Sequence, residues 1–178
     1  MAKLRKWAAY RTIERPYTRF SKVRGKAFVK TRPGKKVIKY NMGDVKGGVE
    51  QFDVHLQLIC KEFRNVRAHA LESARIAALR GLEDELGKKG FLMRIRTVPH
   101  HAIRENPLAA GAGADRLSTG MKHSFGKIIC MAARVEAGSV MFDLYVPVSK
   151  KDSARDALKR AGKKLPMKIS VIEVKKNN

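Results

Sequence analysis

Apolar residues alternate with polar ones along several short segments of the chain, which is the pattern of half-buried β-strands. The clearest case is 52–63, where Val54, Leu56 and Leu58 are separated by polar side chains. Apolar stretches of similar length predict further strands over 36–40, 91–98 and 167–174. Turn-forming residues predict turns at 41–44 and 47–48.

Two apolar runs near the end of the chain are separated by only four residues. They cover 128–135 and 140–148, and the link 136–139 contains a glycine suited to a tight turn. A short link of this kind is typical of a β-hairpin, so we expect the two strands to pair with each other.

A period of three to four residues predicts two helices. The longer one covers 65–86, stops before Gly87, and carries an apolar stripe formed by Leu71, Ala74, Ala78, Leu82 and Leu86. The shorter, basic one covers 152–161, with Ser149 or Asp152 as its cap. These elements predict an α+β fold, an antiparallel sheet sandwich in which two helices cover one sheet face.

Positive charge is concentrated at the two ends of the chain. The 178 residues include 39 Lys and Arg against 16 Asp and Glu, a formal net charge of +23. Residues 1–39 hold 14 basic residues and one acid, residues 40–90 are neutral, and residues 149–178 hold ten basic residues and three acids. Such a surface repels itself unless a polyanion neutralises it, so RNA, DNA and an anionic membrane are the candidate partners.

The chain divides into an arm, a core and a tail. Residues 1–36 show neither the period of a helix nor the alternation of a strand. They place aromatic residues among Arg and Lys, so they are expected to form a basic RNA-binding arm. Residues 37–174 are expected to form the core and 175–178 a basic tail. Within the core, 99–127 is predicted to be a long irregular loop, and loops beyond about 12–15 residues are usually functional or disordered.

The loop contains residue types that catalysis uses, but not in catalytic arrangements. The segment 111–116 lacks the third glycine of a dinucleotide site and the Gly-Lys-Ser/Thr ending of a phosphate-binding loop. His100 and His101 are adjacent, so on an extended strand they point to opposite sides and cannot share a metal ion. Nothing orders the side chains that a hydrolase would use, Ser118, His123 and Asp115. Packing or RNA contact is therefore the expected role.

The remaining reactive or charged groups have structural explanations. The acids at 83–85 are expected to form a solvated face or to pair with Lys88 and Lys89. Cys60 and Cys130 lie in apolar stretches without neighbouring ligands, so no disulfide framework or zinc site is expected and a reducing, cytosolic setting fits. No apolar run approaches the roughly 18–20 residues that cross a bilayer, and the first residues lead into charge rather than an apolar signal segment.

The segment 91–127 carries motifs of a known family. It contains Arg94-Ile95-Arg96, Pro-His-His-Ala-Ile-Arg at 99–104, Ala-Gly-Ala-Asp-Arg-Leu-Ser-Thr-Gly-Met at 112–121, and Phe125-Gly126-Lys127. The similarity extends through 68–75 and 154–164. On these motifs the chain resembles the uL16 family of large-subunit ribosomal proteins, called L10e in archaea and eukaryotes.

The resemblance implies an α+β sandwich of the hammerhead type and a structural, non-enzymatic role in the large ribosomal subunit of the cytoplasm. Members of the family bind 23S-type rRNA at the base of the central protuberance, near the 5S rRNA region and neighbouring ribosomal proteins. They direct the long loop towards tRNA beside the peptidyl-transferase centre. No cofactor, metal ion, membrane or small-molecule substrate is implied. By position, the tRNA-side residues of the loop are His100, His101, Arg104, Arg116, Lys122 and His123.

The candidate rRNA contacts are basic residues of the arm, of the strands that flank the loop, and of the second helix. They are Lys3, Arg5, Lys6, Arg11, Arg15, Arg19, Lys22, Arg24, Lys26, Lys30, Arg32, Arg94, Arg96, Lys127, Lys159, Arg160, Lys163 and Lys164. The chain ends soon after Val174, without the longer extension of eukaryotic relatives, which favours an archaeal-type member.

Two other functional classes compete with this interpretation. An RNA-modifying or RNA-cleaving enzyme needs a convergent acid–base or cofactor site, which the sequence does not show. A DNA-compacting protein also fits the net charge, but the long loop and the lack of a DNA-docking motif argue against it. Turnover on RNA tests the first class, and comparing duplex DNA with structured rRNA tests the second.

Overall fold

The computed structural model describes residues 20, 23, 29, 33–105, 111–113 and 126–174. Within these ranges the chain forms eight strands, two α-helices and a short 3-10 turn. In chain order they are β1 (Asn41–Gly43), β2 (Val54–Cys60), β3 (Arg64–Arg67), α1 (Ala68–Leu86), β4 (Leu92–Ile95), β5 (His101–Glu105), β6 (Lys127–Val135), β7 (Val140–Val146), the 3-10 turn (Val148–Lys150), α2 (Lys151–Gly162) and β8 (Ile169–Val174).

The strands form two antiparallel sheets. One has five strands in the order β1-β4-β7-β2-β8, and the other has three in the order β3-β6-β5. Strict alternation along β2 buries Val54, Leu56 and Leu58, because successive side chains of a strand point to opposite faces. The prediction of antiparallel sheets combined with two helices is therefore confirmed.

The strands β6 and β7 do not form the predicted hairpin. β6 pairs with β3 and β5, whereas β7 lies between β4 and β2 in the other sheet. The link between them is bound to the end of β2, since the Gly138 N–H donates to the Cys60 carbonyl and the Cys60 N–H donates to the Ser139 carbonyl. The hairpin prediction was wrong because a short glycine-containing link also suits a chain that crosses between packed sheets.

Three further local predictions need correction. The strand expected over 36–40 forms instead at Asn41–Gly43, and a turn follows it in which the Gly47 N–H donates to the Asp44 carboxylate, 3.0 Å away. The helix expected from residue 65 begins at Ala68, because 64–67 pair with β6. The loop predicted over 99–127 includes the strand β5, which pairs with β6. Each displaced boundary reflects pairing with a distant strand, which local sequence does not encode.

The C-terminus of α1 and the N-terminus of α2 are formed in different ways. α1 ends at Leu86, and Gly87 adopts a φ of +72°, with its N–H bonded to the Glu83 carbonyl, as the glycine stop predicted. α2 has no side-chain cap, so the prediction that Ser149 or Asp152 caps it is wrong. The 3-10 turn runs directly into α2 at Lys151 and replaces a capping side chain.

The main core lies between the helices and both sheets. The helices pack on each other, α2 also contacts β2, β7 and β8, and α1 contacts β3 and β6, so the two helices do not simply share one sheet face. The core includes Leu82 and Leu158 from the helices and Phe142 from the centre of the larger sheet, each fully buried. Burying a side chain of this size contributes about 1.5–3 kcal/mol.

A smaller apolar cluster ties part of the predicted arm to the core. Val29, 2% exposed, packs with Ala68, Ala102 and Met131, and Phe20 lies against the same cluster. The first 36 residues therefore include at least two side chains that are part of the folded core.

Gly43 and Gly48 make a matched pair for testing the turn after β1. Both have positive φ, +87° and +76°, but a Cβ at Gly43 would fall on the backbone carbonyl oxygen of Phe91, whereas nothing lies within 4 Å of one at Gly48. We expect Gly43→Ala to lower the free energy of unfolding by about 2–5 kcal/mol through backbone strain and overpacking, and Gly48→Ala by about 1 kcal/mol. Urea denaturation measures both, and equal losses would contradict the close approach of β1 and Phe91.

Candidate nucleic-acid interface

Many of the predicted contacts lie outside the described residues. For the arm these are Lys3, Arg5, Lys6, Arg11, Arg15, Arg19, Lys22, Arg24, Lys26, Lys30 and Arg32, and for the loop they are Arg116, Lys122 and His123. The described candidates are Arg94, Arg96, Lys127, Lys159, Arg160, Lys163 and Lys164, with His100, His101 and Arg104 beside the loop.

The described cations fall on opposite sides of the five-stranded sheet. Met93 and Ile95 of β4 point into the core, so Arg94 points to the face away from the helices. Arg96 follows β4 and has a side chain that is 63% exposed. The basic residues of α2 lie on the other side, because α2 packs against the inner face of this sheet. A single flat polyanion surface cannot contact both groups.

Four basic residues lie at the C-terminal end of α2, where the helix dipole favours cations. Lys159 pairs with Asp156 at 3.0 Å, and the Arg160 guanidinium lies 3.5 Å from a Glu85 carboxylate oxygen. Lys163 and Lys164 are exposed and form no ion pair with a described residue. The acids at 83–85 are exposed as predicted, and Glu85 has α2 as its partner.

A buried carboxylate organises the outer face of the five-stranded sheet. Asp143, 3% exposed, accepts hydrogen bonds from His55 Nε2 at 3.1 Å and Gln57 Nε2 at 2.9 Å. Its second oxygen lies 3.6 Å from Arg96 Nε. Two hydrogen bonds from β2 and the ion pair with Arg96 thus offset the cost of burying this charge. No local sequence pattern indicates this network, since its members are up to 88 residues apart.

The His55 ring also stacks on Tyr145, with centroids 4.2 Å apart and planes inclined by 14°. Burial, with a smaller contribution from Asp143, raises the pKa of Tyr145, so the phenol stays neutral at physiological pH. The stack and the Asp143 network fix the side chains beside Arg94 and Arg96, which makes this face a rigid support.

A basic cleft lies where the two sheets meet. It has a volume of about 240 Å³, and its polar lining comes from Arg96, Thr97, His100, Arg134 and Ser139. Sequence reasoning missed Arg134 as a candidate. The available signal was a lone arginine inside the otherwise apolar run that forms β6.

The base of the long loop is anchored on the three-stranded sheet. Glu105 of β5 stands opposite Lys127 of β6, and the Arg104 side chain donates to the Gly126 carbonyl at 3.1 Å. Arg104 is therefore a structural contact at the loop base. The chain leaves and re-enters the sheet at neighbouring positions.

The adjacent histidines occupy different environments. His100 is exposed, whereas His101 is 3% exposed and neither of its ring nitrogens has a hydrogen-bond partner in the described structure. Their rings meet edge to face, with centroids 5.3 Å apart. Burial, and then the charges of His100 and Arg134, lower the pKa of His101 to about 4, so this imidazole is neutral at physiological pH.

Other chemistry is not organised in the described part of the chain. Within these residues, no group of His, Cys, Asp and Glu side chains is placed to hold a metal ion. Cys60 and Cys130 are buried, and neither forms a disulfide with a described residue. No helix among the described residues is both long and apolar enough to cross a membrane.

A mixed α/β core with preorganised cations on opposite faces is the architecture of a nucleic-acid-binding protein. The family model described as "Ribosomal protein L16p/L10e" matches residues 14–172. A protein of Methanococcus maripaludis named "Large ribosomal subunit protein uL16" is 42% identical over 173 residues, covering 97% of this chain and 95% of that protein.

Two other archaeal proteins with the same name are similar over most of their length. The one from Methanoculleus marisnigri is 42% identical and covers 79% of this chain and 81% of its own. The one from Halorubrum lacusprofundi is 39% identical, and the match covers 91% of this chain and 90% of that protein. The chain therefore belongs to the L16p/L10e family of ribosomal proteins, and it is a non-enzymatic structural constituent of the large ribosomal subunit.

The buried His101 predicts how stability depends on pH. The unfolded chain takes up a proton at this imidazole near pH 6.5 and the folded chain only near pH 4. Between these values the unfolded state binds more protons, so stability falls as the pH drops through this window, by up to roughly 3 kcal/mol. We expect His101→Phe to remove most of this loss of stability and His100→Phe to retain it. Chemical denaturation at pH 7 and pH 4.5 measures the difference in the free energy of unfolding. An unchanged pH dependence in His101→Phe would show that His101 is not its source.

Proposed function

We propose that the chain binds 23S-type rRNA at the base of the central protuberance and supports tRNA beside the peptidyl-transferase centre. The observation that carries the rRNA part is the distribution of basic side chains over opposite faces of the folded core. Arg94 and Arg96 lie on one side of the five-stranded sheet, and Lys163 and Lys164 on the other. Folded RNA surrounds a protein in this way, whereas a straight duplex contacts one face.

The size of the net positive charge supports an extensive RNA-binding surface rather than a few surface contacts. Each phosphate contact contributes about 0.7–0.9 to the slope of log affinity against log salt. If about ten of the surplus cations are engaged, affinity from charge alone falls by roughly five orders of magnitude between 50 and 200 mM salt. The rigid face around Asp143 supplies the shape contacts that resist such screening.

The tRNA part of the proposal rests on the anchored base of the loop. The backbone pairing of Glu105 with Lys127 and the bond from Arg104 to Gly126 place both ends of the segment 106–125 at neighbouring positions of one sheet. Arg116 and Lys122 are cations of this segment, and the proposal assigns them the contact with a neighbouring RNA.

The proposed protein partners are neighbouring ribosomal proteins in the 5S rRNA region. A groove beside β1 and α1 is lined partly by Ile38, Val45 and Leu79, and Ile38 is 83% exposed. Exposed apolar side chains grouped in this way suit contact with a protein rather than with phosphates.

Deleting residues 1–19 tests the role of the arm without removing Phe20 or Val29 from the core. This segment holds six basic residues and one acid. We expect the core to stay folded, stable incorporation into large subunits to be lost, and the salt slope of rRNA binding to fall by about 4–5. Sedimentation of subunits from cells measures incorporation, with deletion of 175–178 as the control that removes two cations. Normal incorporation of the shorter chain would show that the arm is dispensable.

Replacing Arg116 and Lys122 with Gln tests the loop. Because neither residue is one of the anchored positions at the loop base, we expect normal incorporation and slower tRNA accommodation, roughly tenfold for the loss of one charged contact. Lys88→Gln with Lys89→Gln is the matched control, since it removes two exposed cations elsewhere. Stopped-flow accommodation on purified ribosomes measures the rate, and a rate equal to the control's would argue against a tRNA contact.

A further inference from the structure

The cleft between the two sheets combines features that point to an anion. It is lined by the end of β4, the segment that leads to β5, the end of β6 and the start of β7. Two arginines, a histidine, a threonine and a serine supply its polar groups, and three valines supply apolar walls. Of the described residues that line it, none is acidic. Its volume of about 240 Å³ is below the usual range for small-molecule sites, about 300–1,000 Å³.

Both guanidinium groups are oriented before any ligand arrives. Arg96 approaches the Asp143 carboxylate with its Nε, at 3.6 Å, and the rest of this largely exposed side chain lines the cleft. Arg134 lies over the Phe63 ring, 5.0 Å from its centroid, a cation–π geometry that leaves the edge of the guanidinium available. Side chains that are already held lose less conformational entropy when they bind.

Arg134 is a half-buried cation for which no described carboxylate serves as an ion-pair partner. Its Nε is buried without a hydrogen-bond acceptor. Arg64 and Arg75, also half-buried, each pair with a glutamate, although the Arg64 Nε likewise has no acceptor. A buried donor without an acceptor is unfavourable and rare. The low pKa of the neighbouring His101, caused first by burial and then in part by the charges of His100 and Arg134, agrees with a local excess of positive charge.

We propose that this cleft is a phosphate site that takes one phosphodiester group of the rRNA between Arg96 and Arg134. The planar fork of arginine matches two phosphate oxygens, and charge-assisted bonds of this kind are the strong ones. His100 and Ser139 add donors at the rim, and the valines contact the adjoining ribose. This inference rests on the proposed rRNA binding and adds the chemistry of one particular contact to it.

The test uses the full-length chain and protein-free rRNA from large subunits. Affinity is measured at several salt concentrations for the wild type, for Arg96→Gln with Arg134→Gln, and for the control pair Lys88→Gln with Lys89→Gln. We expect the cleft variant to bind roughly ten- to hundredfold more weakly and to lose about 0.7–0.9 from the salt slope. The control pair should stay close to the wild type. Equal affinity and slope for the cleft variant and the control would overturn the proposal.

A second variant separates the effect of the arginine geometry on binding from a loss of folding. Arg134→Lys keeps the charge and the stem but not the planar fork, so we expect a smaller loss of affinity with the slope retained. If it binds as tightly as the wild type, the fork geometry has no role and the site as proposed is wrong. Circular dichroism establishes that each variant is folded before binding is compared.

Inorganic phosphate distinguishes the source of the ligand. We expect millimolar phosphate to compete weakly with rRNA for the wild type and not at all for the cleft variant. Saturation of the wild type by phosphate with no loss of rRNA affinity would assign the cleft to a free anion and overturn the proposal. If the wild type itself does not bind rRNA, the proposed function is wrong. If the wild type binds rRNA and the cleft variant binds it equally well, only this phosphate contact is rejected.

Discussion

Unneutralised positive charge raises the free energy of any compact state, and this chain carries a formal net charge of +23. The fold meets this constraint by separating charge from core. The two helices and two sheets enclose an apolar cluster, and the buried Asp143 carboxylate accepts two hydrogen bonds and pairs with Arg96. Basic side chains lie on both faces of the five-stranded sheet. We propose that rRNA neutralises them.

The rigidity of the core gives its surface cations a defined position. Stacking of His55 on Tyr145 and the bonds to Asp143 fix one sheet face. The paired ends of β5 and β6 fix the point from which the segment 106–125 leaves the sheet. A ribosomal protein built in this way holds RNA by position as well as by charge, because fixed cations discriminate between phosphate arrangements while mobile ones add affinity alone.

Much of the fold follows from local sequence. The alternation around Leu56, the apolar stripe of α1 and the stop at Gly87 each report a local requirement, and the structure has all three. The errors share another cause. Whether β6 pairs with β7 or with strands of another sheet depends on which strands compete for each edge. Likewise, β3 forms because 64–67 pair with residues of β6 more than sixty positions away. Pairing over such distances is invisible to a window of ten or fifteen residues.

The site was predictable to a different degree. Charge counting proposes the ends of the chain and the basic helix as contacts, since every exposed Lys or Arg contributes to the same field, and this stays a prediction. It missed Arg134 and the Asp143 network, because their importance comes from burial and from neighbours brought together by folding. Conversely, Arg104 looked like a functional contact by position, and the structure gives it a bond that closes the base of the loop.

The central claim is that rRNA phosphates neutralise the exposed cations on both faces of the core. An electron cryomicroscopy structure of the large subunit that contains this chain tests it most directly. The account predicts phosphate oxygens within about 4 Å of Arg96, Lys163 and Lys164, with both sheets paired as described. The absence of phosphate oxygens near these cations on either side of the five-stranded sheet would contradict it.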